Sequence, residues 1–211
     1  MINLGSLNLS DMKIGTSSVL SGYVGTSLVY PVYRDCGCIY GEGTANQRIT
    51  LPIKTSGTLK YRFRGQVLKA SGGVIIGGVY GSDNDDYRFF TQNNLIYLDM
   101  GASRISASRP FNYEEDIDIT VGNLYMYDNI GGTYWLSGAT ATNVPDRNAL
   151  TFNLPFLKTY SLQVWETSGG TDVLIYDGVP KVRISDGEEG MLDRVSGIFN
   201  TNATATIHTC Y

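Results

Sequence analysis

The chain has 211 residues, among them 25 glycines and 15 tyrosines, with only 17% charged, which suffices for one core and a small appendage. A formal net charge of −4 without a basic run excludes a surface that follows a phosphate backbone, so nucleic acid is not an expected partner. No apolar run of about 18 residues is present, so no membrane insertion is expected, and no window holds apolar residues at helical spacing.

Residues 1–31 carry a repeat. Leu4-Gly5-Ser6, Ile14-Gly15-Thr16 and Val24-Gly25-Thr26 place their glycines ten residues apart, and each is followed by an apolar position, Leu9, Val19 or Val29. Each unit reads as a short strand, a Gly-Ser/Thr turn and a second short strand. Such units bury too little apolar surface alone and have to stack on neighbours or on other copies. Leu4, Leu9, Ile14, Val19, Val24 and Val29 are therefore expected to line an oligomerisation or attachment contact. These first residues lack a basic segment followed by a continuous apolar one, so no secretory signal is expected.

From about residue 36 the texture changes to longer alternating strands. Leu59, Tyr61 and Phe63 fall on one face of "TLKYRFRG", with Lys60, Arg62 and Arg64 on the other, the pattern of a half-buried antiparallel strand. "IDITVGNLYMYD" reads as a hairpin turning at Gly122-Asn123, and "KTYSLQVWETSGGTDVLIYDGVP" as another turning at Ser168-Gly169-Gly170. On the latter's first strand Tyr160, Leu162 and Val164 are expected to share a face. Further strands fit Arg48–Lys54, Val74–Tyr80, Tyr87–Phe90, Leu95–Met100, Leu150–Asn153 and Thr204–His208. Many short strands with glycine-rich turns imply an all-β, antiparallel two-sheet sandwich.

The last third, "LKTYSLQVWETSGGTDVLIYDGVPKVRISDGEEGMLDRVSGIFNTNATATI", resembles the C-terminal signature of laminin-G/concanavalin-like jelly-roll domains common in tailed-phage structural proteins. The matching residues are Tyr160 to Trp165, Leu174 to Pro180, Gly190 to Asp193 and Val195 to Asn200. Gly178 departs from the pattern, which has a bulky apolar residue there. Tyr23 to Tyr30 is similar to the repeats that often precede such domains. The resemblance implies a jelly roll at 32–211 behind a β repeat module at 1–31. It further implies a non-enzymatic virion protein without a cofactor (head fibre, capsid decoration or tail fibre), made in the bacterial host cytoplasm and displayed on the virion surface. Its partners would be itself, as a homotrimer, and the capsid or tail proteins of the virion.

Four clusters carry chemistry, the first three of them aromatic or acidic. Tyr125, Tyr127, Tyr134 and Trp135 crowd a short span with Asp128 and Asn129. Sugar rings stack on aromatic faces while Asp and Asn bind their hydroxyls, so the alternative function is an adhesin for host or mucus glycans. Glu114, Asp116 and Asp118 alternate, as paired carboxylates do in some glycosidases of concanavalin-like fold, the third reading. Asp83, Asn84, Asp85 and Asp86 offer oxygen ligands for Ca²⁺ and equally make an exposed turn.

The three cysteines and the single histidine form Cys36-Gly-Cys38 and His208-Thr-Cys210. In concanavalin-like sandwiches the first and last strands lie side by side, which would gather these four residues. Free cytosolic thiols are the leading reading, with a Cys210 disulfide and a Zn²⁺ set of Cys36, Cys38, His208 and Cys210 as alternatives.

Overall fold

A computed structural model describes residues 13–14, 17–18, 23–24, 27–28, 33–41, 47–54, 56, 58–68, 73–78, 87–92, 95–100, 103–110, 112–122, 125–136, 149–201 and 206–211. In chain order the strands are β1 (Lys13–Ile14), β2 (Ser17–Ser18), β3 (Tyr23–Val24), β4 (Ser27–Leu28), β5 (Tyr33–Asp35), β6 (Cys38–Tyr40) and β7 (Arg48–Lys54). There follow β8 (Leu59–Val67), β9 (Gly73–Gly78), β10 (Tyr87–Gln92), β11 (Leu95–Met100), β12 (Ser103–Pro110), β13 (Asp116–Gly122) and β14 (Tyr125–Asp128). The last are β15 (Thr133–Leu136), β16 (Ala149–Asn153), β17 (Leu157–Ser168), β18 (Thr171–Arg183), β19 (Glu189–Asp193), β20 (Phe199–Asn200) and β21 (His208–Cys210).

The repeat segment shows its period in the backbone. β1 pairs with β2 through Ile14↔Ser17, and β3 pairs with β4 through Val24↔Ser27, ten residues further on. Of the expected contact residues, Leu4, Leu9, Val19 and Val29 lie outside the described residues, as do Asp83, Asn84, Asp85 and Asp86.

The rest is an all-β, antiparallel two-sheet sandwich. One sheet has six strands in the order β12-β11-β10-β9-β16-β7. The larger runs β15-β14-β13-β8-β17-β18-β19-β20, with β5 on β18 and with β6 bridging β17 and β21. Period-two alternation decides what each strand buries. On β8, Leu59, Tyr61, Phe63 and Val67 are all at most 3% exposed, while Lys60, Arg62 and Arg64 face outward. They meet Ile119 and Val121 of β13 and Leu162 and Val164 of β17, and from the opposite sheet Ile49, Leu51, Ile76, Phe89, Leu98, Leu150 and Phe152. At the two long sides β12 approaches β15, and β7 approaches β20.

Tyr160 does not share a face with Leu162 and Val164. Thr159 pairs with Gly65 and Ser161 with Arg64, so Tyr160 is the extra residue of a β-bulge, and the inward face changes from Leu157 and Thr159 to Leu162 and Val164. Its hydroxyl instead donates to Asp116 Oδ1 at 2.9 Å. At Gly178 the bulky group comes from two residues upstream: a Cβ there would sit 2.5 Å from Cε1 of the buried Tyr176 ring. The turn at Gly169-Gly170 forms as expected, both residues having positive φ (58° and 81°).

The terminal strands of the sandwich do meet. β21 pairs with β6 through His208↔Tyr40 and Cys210↔Cys38, and Cys38 and Cys210 form a disulfide with their Cα atoms 5.1 Å apart. The reading of free thiols is thus corrected for this pair. The proposed zinc set loses two thiolates to the bond, leaving Cys36 and His208, and no group of three or more metal-ligating side chains occurs among the described residues. Cys36 stays a free thiol, half-buried, with burial pushing its pKa up to about 11. The strand placed at Thr204–His208 is seen at His208–Cys210, where the ladder to β6 fixes its register.

Candidate functional site

The outward face of the larger sheet carries a groove of about 380 Å³ lined by Lys60, Arg62, Thr120, Tyr125, Tyr127, Asn129, Tyr134 and Trp165. It crosses five adjacent strands, β15, β14, β13, β8 and β17. Alternation puts Tyr125 and Tyr127 of β14 on this face, and register brings Tyr127 beside Thr120 on one side and Tyr134 on the other.

Tyr125 lies across its neighbour strand. It pairs with Gly122, and a Cβ on that glycine would meet the Tyr125 ring, 2.2 Å from Cε1 and 2.5 Å from Cζ. The missing side chain is what lets the ring lie down on the sheet. Tyr134 stands edge-on to it, with ring centroids 6.1 Å apart at 72°, and edge-on to Tyr127 at 5.0 Å and 62°. At the other end Lys60 Nζ sits 5.4 Å from the centroid of the Trp165 ring and donates to Asp172 Oδ2 at 2.7 Å. That hydrogen bond raises the Lys60 pKa. Burial raises the Tyr125 pKa, with Lys60 opposing it and Asp172 and Tyr134 adding to it.

The floor between these ends is held by one carboxylate. Asp118 accepts a two-pronged contact from Arg62, Nε to Oδ1 at 2.7 Å and Nη2 to Oδ2 at 2.6 Å. Asn129 Nδ2 donates to Asp118 Oδ1 at 3.0 Å and to Thr120 Oγ1 at 2.9 Å, and the Asn129 backbone N–H donates to the Asp118 carbonyl at 2.8 Å. The hydrogen bonds to Asp118 raise the Arg62 pKa, so its guanidinium is a fixed cation.

Of the aromatic cluster read from sequence, Tyr125, Tyr127, Asn129 and Tyr134 come together in this groove. Asp128 and Trp135 do not. Asp128 follows the outward Tyr127, so the pleat turns it to the other face, and Trp135 is the extra residue of a bulge between the Tyr127↔Tyr134 and Met126↔Leu136 pairs. Asp128 is buried and accepts from the Ile130 N–H at 2.9 Å, shaping the β14–β15 turn, and Trp135 packs against the core. Trp165 was not among the sequence candidates. The signal was present in "SLQVWE", where inward Leu162 and Val164 leave Gln163 and Trp165 on the face shared with Lys60 and Arg62.

The three acidic residues that suggested a glycosidase do not form one row. Glu114 lies in the turn before β13, with φ +63°, and its N–H donates to the Val67 carbonyl. Asp116 accepts from Gln66 Nε2 at 2.8 Å as well as from Tyr160, and these bonds lower its pKa. Asp118 is engaged by Arg62.

No family model matches the sequence, and no curated protein matches it. Among solved structures the chain is similar to one from Bacteroides ovatus described as a "putative carbohydrate binding protein", with 13% identity and a TM-score of 0.46. The match covers 83% of this chain and 60% of that one, so the chain spans less than two thirds of its length. The likeness is one of strand arrangement and carries no functional argument.

Proposed function

We propose that this chain is a carbohydrate-binding module whose sandwich, of jelly-roll class, engages a glycan in the groove between Tyr134 and Trp165. The observation behind this reading is the flat Tyr125 ring beside fixed hydrogen-bonding groups. A pyranose presents an apolar C–H face and a rim of hydroxyls. An aromatic platform desolvates the first, and Arg62, Thr120, Asn129 and Lys60 address the second. On a glycan array the protein is expected to retain a defined glycan class. Tyr125→Ala and Trp165→Ala should each weaken binding about tenfold or more, equivalent to about 1.4 kcal/mol. Retention of no glycan at millimolar concentration would refute the reading.

A second reading is supported by the strand pairs at Ile14↔Ser17 and Val24↔Ser27, which repeat with the ten-residue period. In it the 1–31 segment attaches the sandwich to a larger assembly, such as a phage virion, as a homotrimer. Deleting residues 1–31 should leave a folded module with unchanged glycan affinity that no longer oligomerises or joins a particle. Sedimentation and particle incorporation read this out, and unaltered incorporation would overturn it.

A further inference from the structure

The basic row Lys60, Arg62 and Arg64 runs along the outward face of β8 at the centre of the larger sheet, with few acids directly across from it. Opposite charges belong directly across from one another on a sheet face. On the β17 side these three residues face Trp165, Gln163 and Ser161, none of them acidic. On the β13 side Arg62 faces Thr120, and only Arg64 faces a carboxylate, Asp118. That carboxylate is taken up by Arg62 with both oxygens, so Arg64 keeps one 3.5 Å contact to it and its side chain stays 57% exposed. Lys60 engages Asp172 through one of the three donors of its ammonium group. Arg62 reaches Asp118 through Nε and Nη2, which leaves Nη1 directed away from that carboxylate. Asp118 and Asp172 do not line the groove, whereas Lys60 and Arg62 do. The charged lining of the groove, Lys60 and Arg62, is therefore donor-only, while Arg64, further along β8 and outside the lining, stands near both Asp116 and Asp118. The protein as a whole is acidic, at −4.

We infer that the groove selects an acidic sugar, a hexuronate unit whose ring lies on Tyr125 and whose carboxylate docks against Lys60 and Arg62. The inference rests on the carbohydrate reading above and narrows it. A carboxylate satisfies the spare donors with charge-assisted bonds, which a neutral hydroxymethyl group does not. The two existing ion pairs hold the cations in place before the ligand arrives, which limits the ordering cost of binding.

The test is calorimetric titration with trimers of glucuronate, galacturonate and mannuronate, each beside its methyl ester, which has the same skeleton without the charge. A panel of neutral trimers is run in parallel. At least one uronate is expected to bind tenfold or more tightly than its ester at low salt, and that preference should shrink at high salt through screening. Lys60→Gln changes an outward side chain and leaves the Arg62–Asp118 pair intact. It should bring the acid-to-ester ratio toward one while the melting temperature stays put. Equal binding of acid and ester, or binding of neutral trimers alone, would overturn the acidic preference and leave the carbohydrate reading standing. Binding of none of the sugars would overturn both.

Discussion

Replacing Cys38 and Cys210 together by Ala is expected to lower stability by up to about 5 kcal/mol. The bond closes a loop with a sequence separation of 172 residues, and the chain-entropy estimate for a loop of that size lies near the top of the range seen for disulfides. Beyond the bond, the three-residue β21 is held by its short ladder to β6 and by Gly37 N–H donating to the Cys210 carbonyl at 2.6 Å. For a domain of this size the loss corresponds to a fall in melting temperature of roughly 10–20 °C. Reductant should bring the wild type down to the variant and leave the variant unmoved. Equal melting of oxidised wild type and variant would show that the pair contributes nothing. A bond of this kind persists in oxidising surroundings, so the protein should be at its most stable outside a reducing cytosol.

Asp193→Ala should cost about 3 kcal/mol at neutral pH, because its carboxylate is buried and organises the β18–β19–β20 corner. It accepts from the Asp177 N–H at 2.9 Å, the Val195 N–H at 3.0 Å, and the Ser196 N–H at 3.2 Å and hydroxyl at 2.5 Å. Burial alone would raise its pKa, but the Ser196 hydroxyl and these backbone donors outweigh it, and the net shift is downward. A carboxyl group whose pKa is lower folded than unfolded stabilises fully above its unfolded value, near 4, and loses that contribution as pH falls through the folded value. Denaturant titrations from pH 7 to pH 2 should therefore show the gap between wild type and Asp193→Asn narrowing below pH ~4. A constant gap across that range would assign the cost to packing instead of charge.

Much of the sandwich was legible because period-two alternation is strong where one face is buried. β7 and β11 lie where the apolar pattern put them, and the glycine pair at 169–170 marks its turn directly. β12, whose Ser103, Ser106 and Ser108 dilute any apolar face, escaped that pattern. The bulge at Tyr160 was illegible for a related reason. An extra residue is recognised by what stands across the ladder, and the pairing of Thr159 with Gly65 cannot be read from β17 alone. The groove was half legible. Its tyrosines are neighbours in sequence, but Trp165 comes from β17, and only the strand order β14-β13-β8-β17 reveals that it faces them. The cysteines show the same limit: spacing offered thiols, metal or a bond, and the β6–β21 register decided among them.

The covalent link between β6 and β21 also determines how the module carries mechanical load. Force entering through residues before Cys38 and leaving beyond Cys210 passes across one sulfur bridge and bypasses the intervening chain. The 172-residue span behind it would otherwise pay out roughly 580 Å of extended polypeptide at ~3.4 Å per residue. Tension applied between these two ends would leave the span closed by the disulfide unloaded, and with it the groove on the larger sheet.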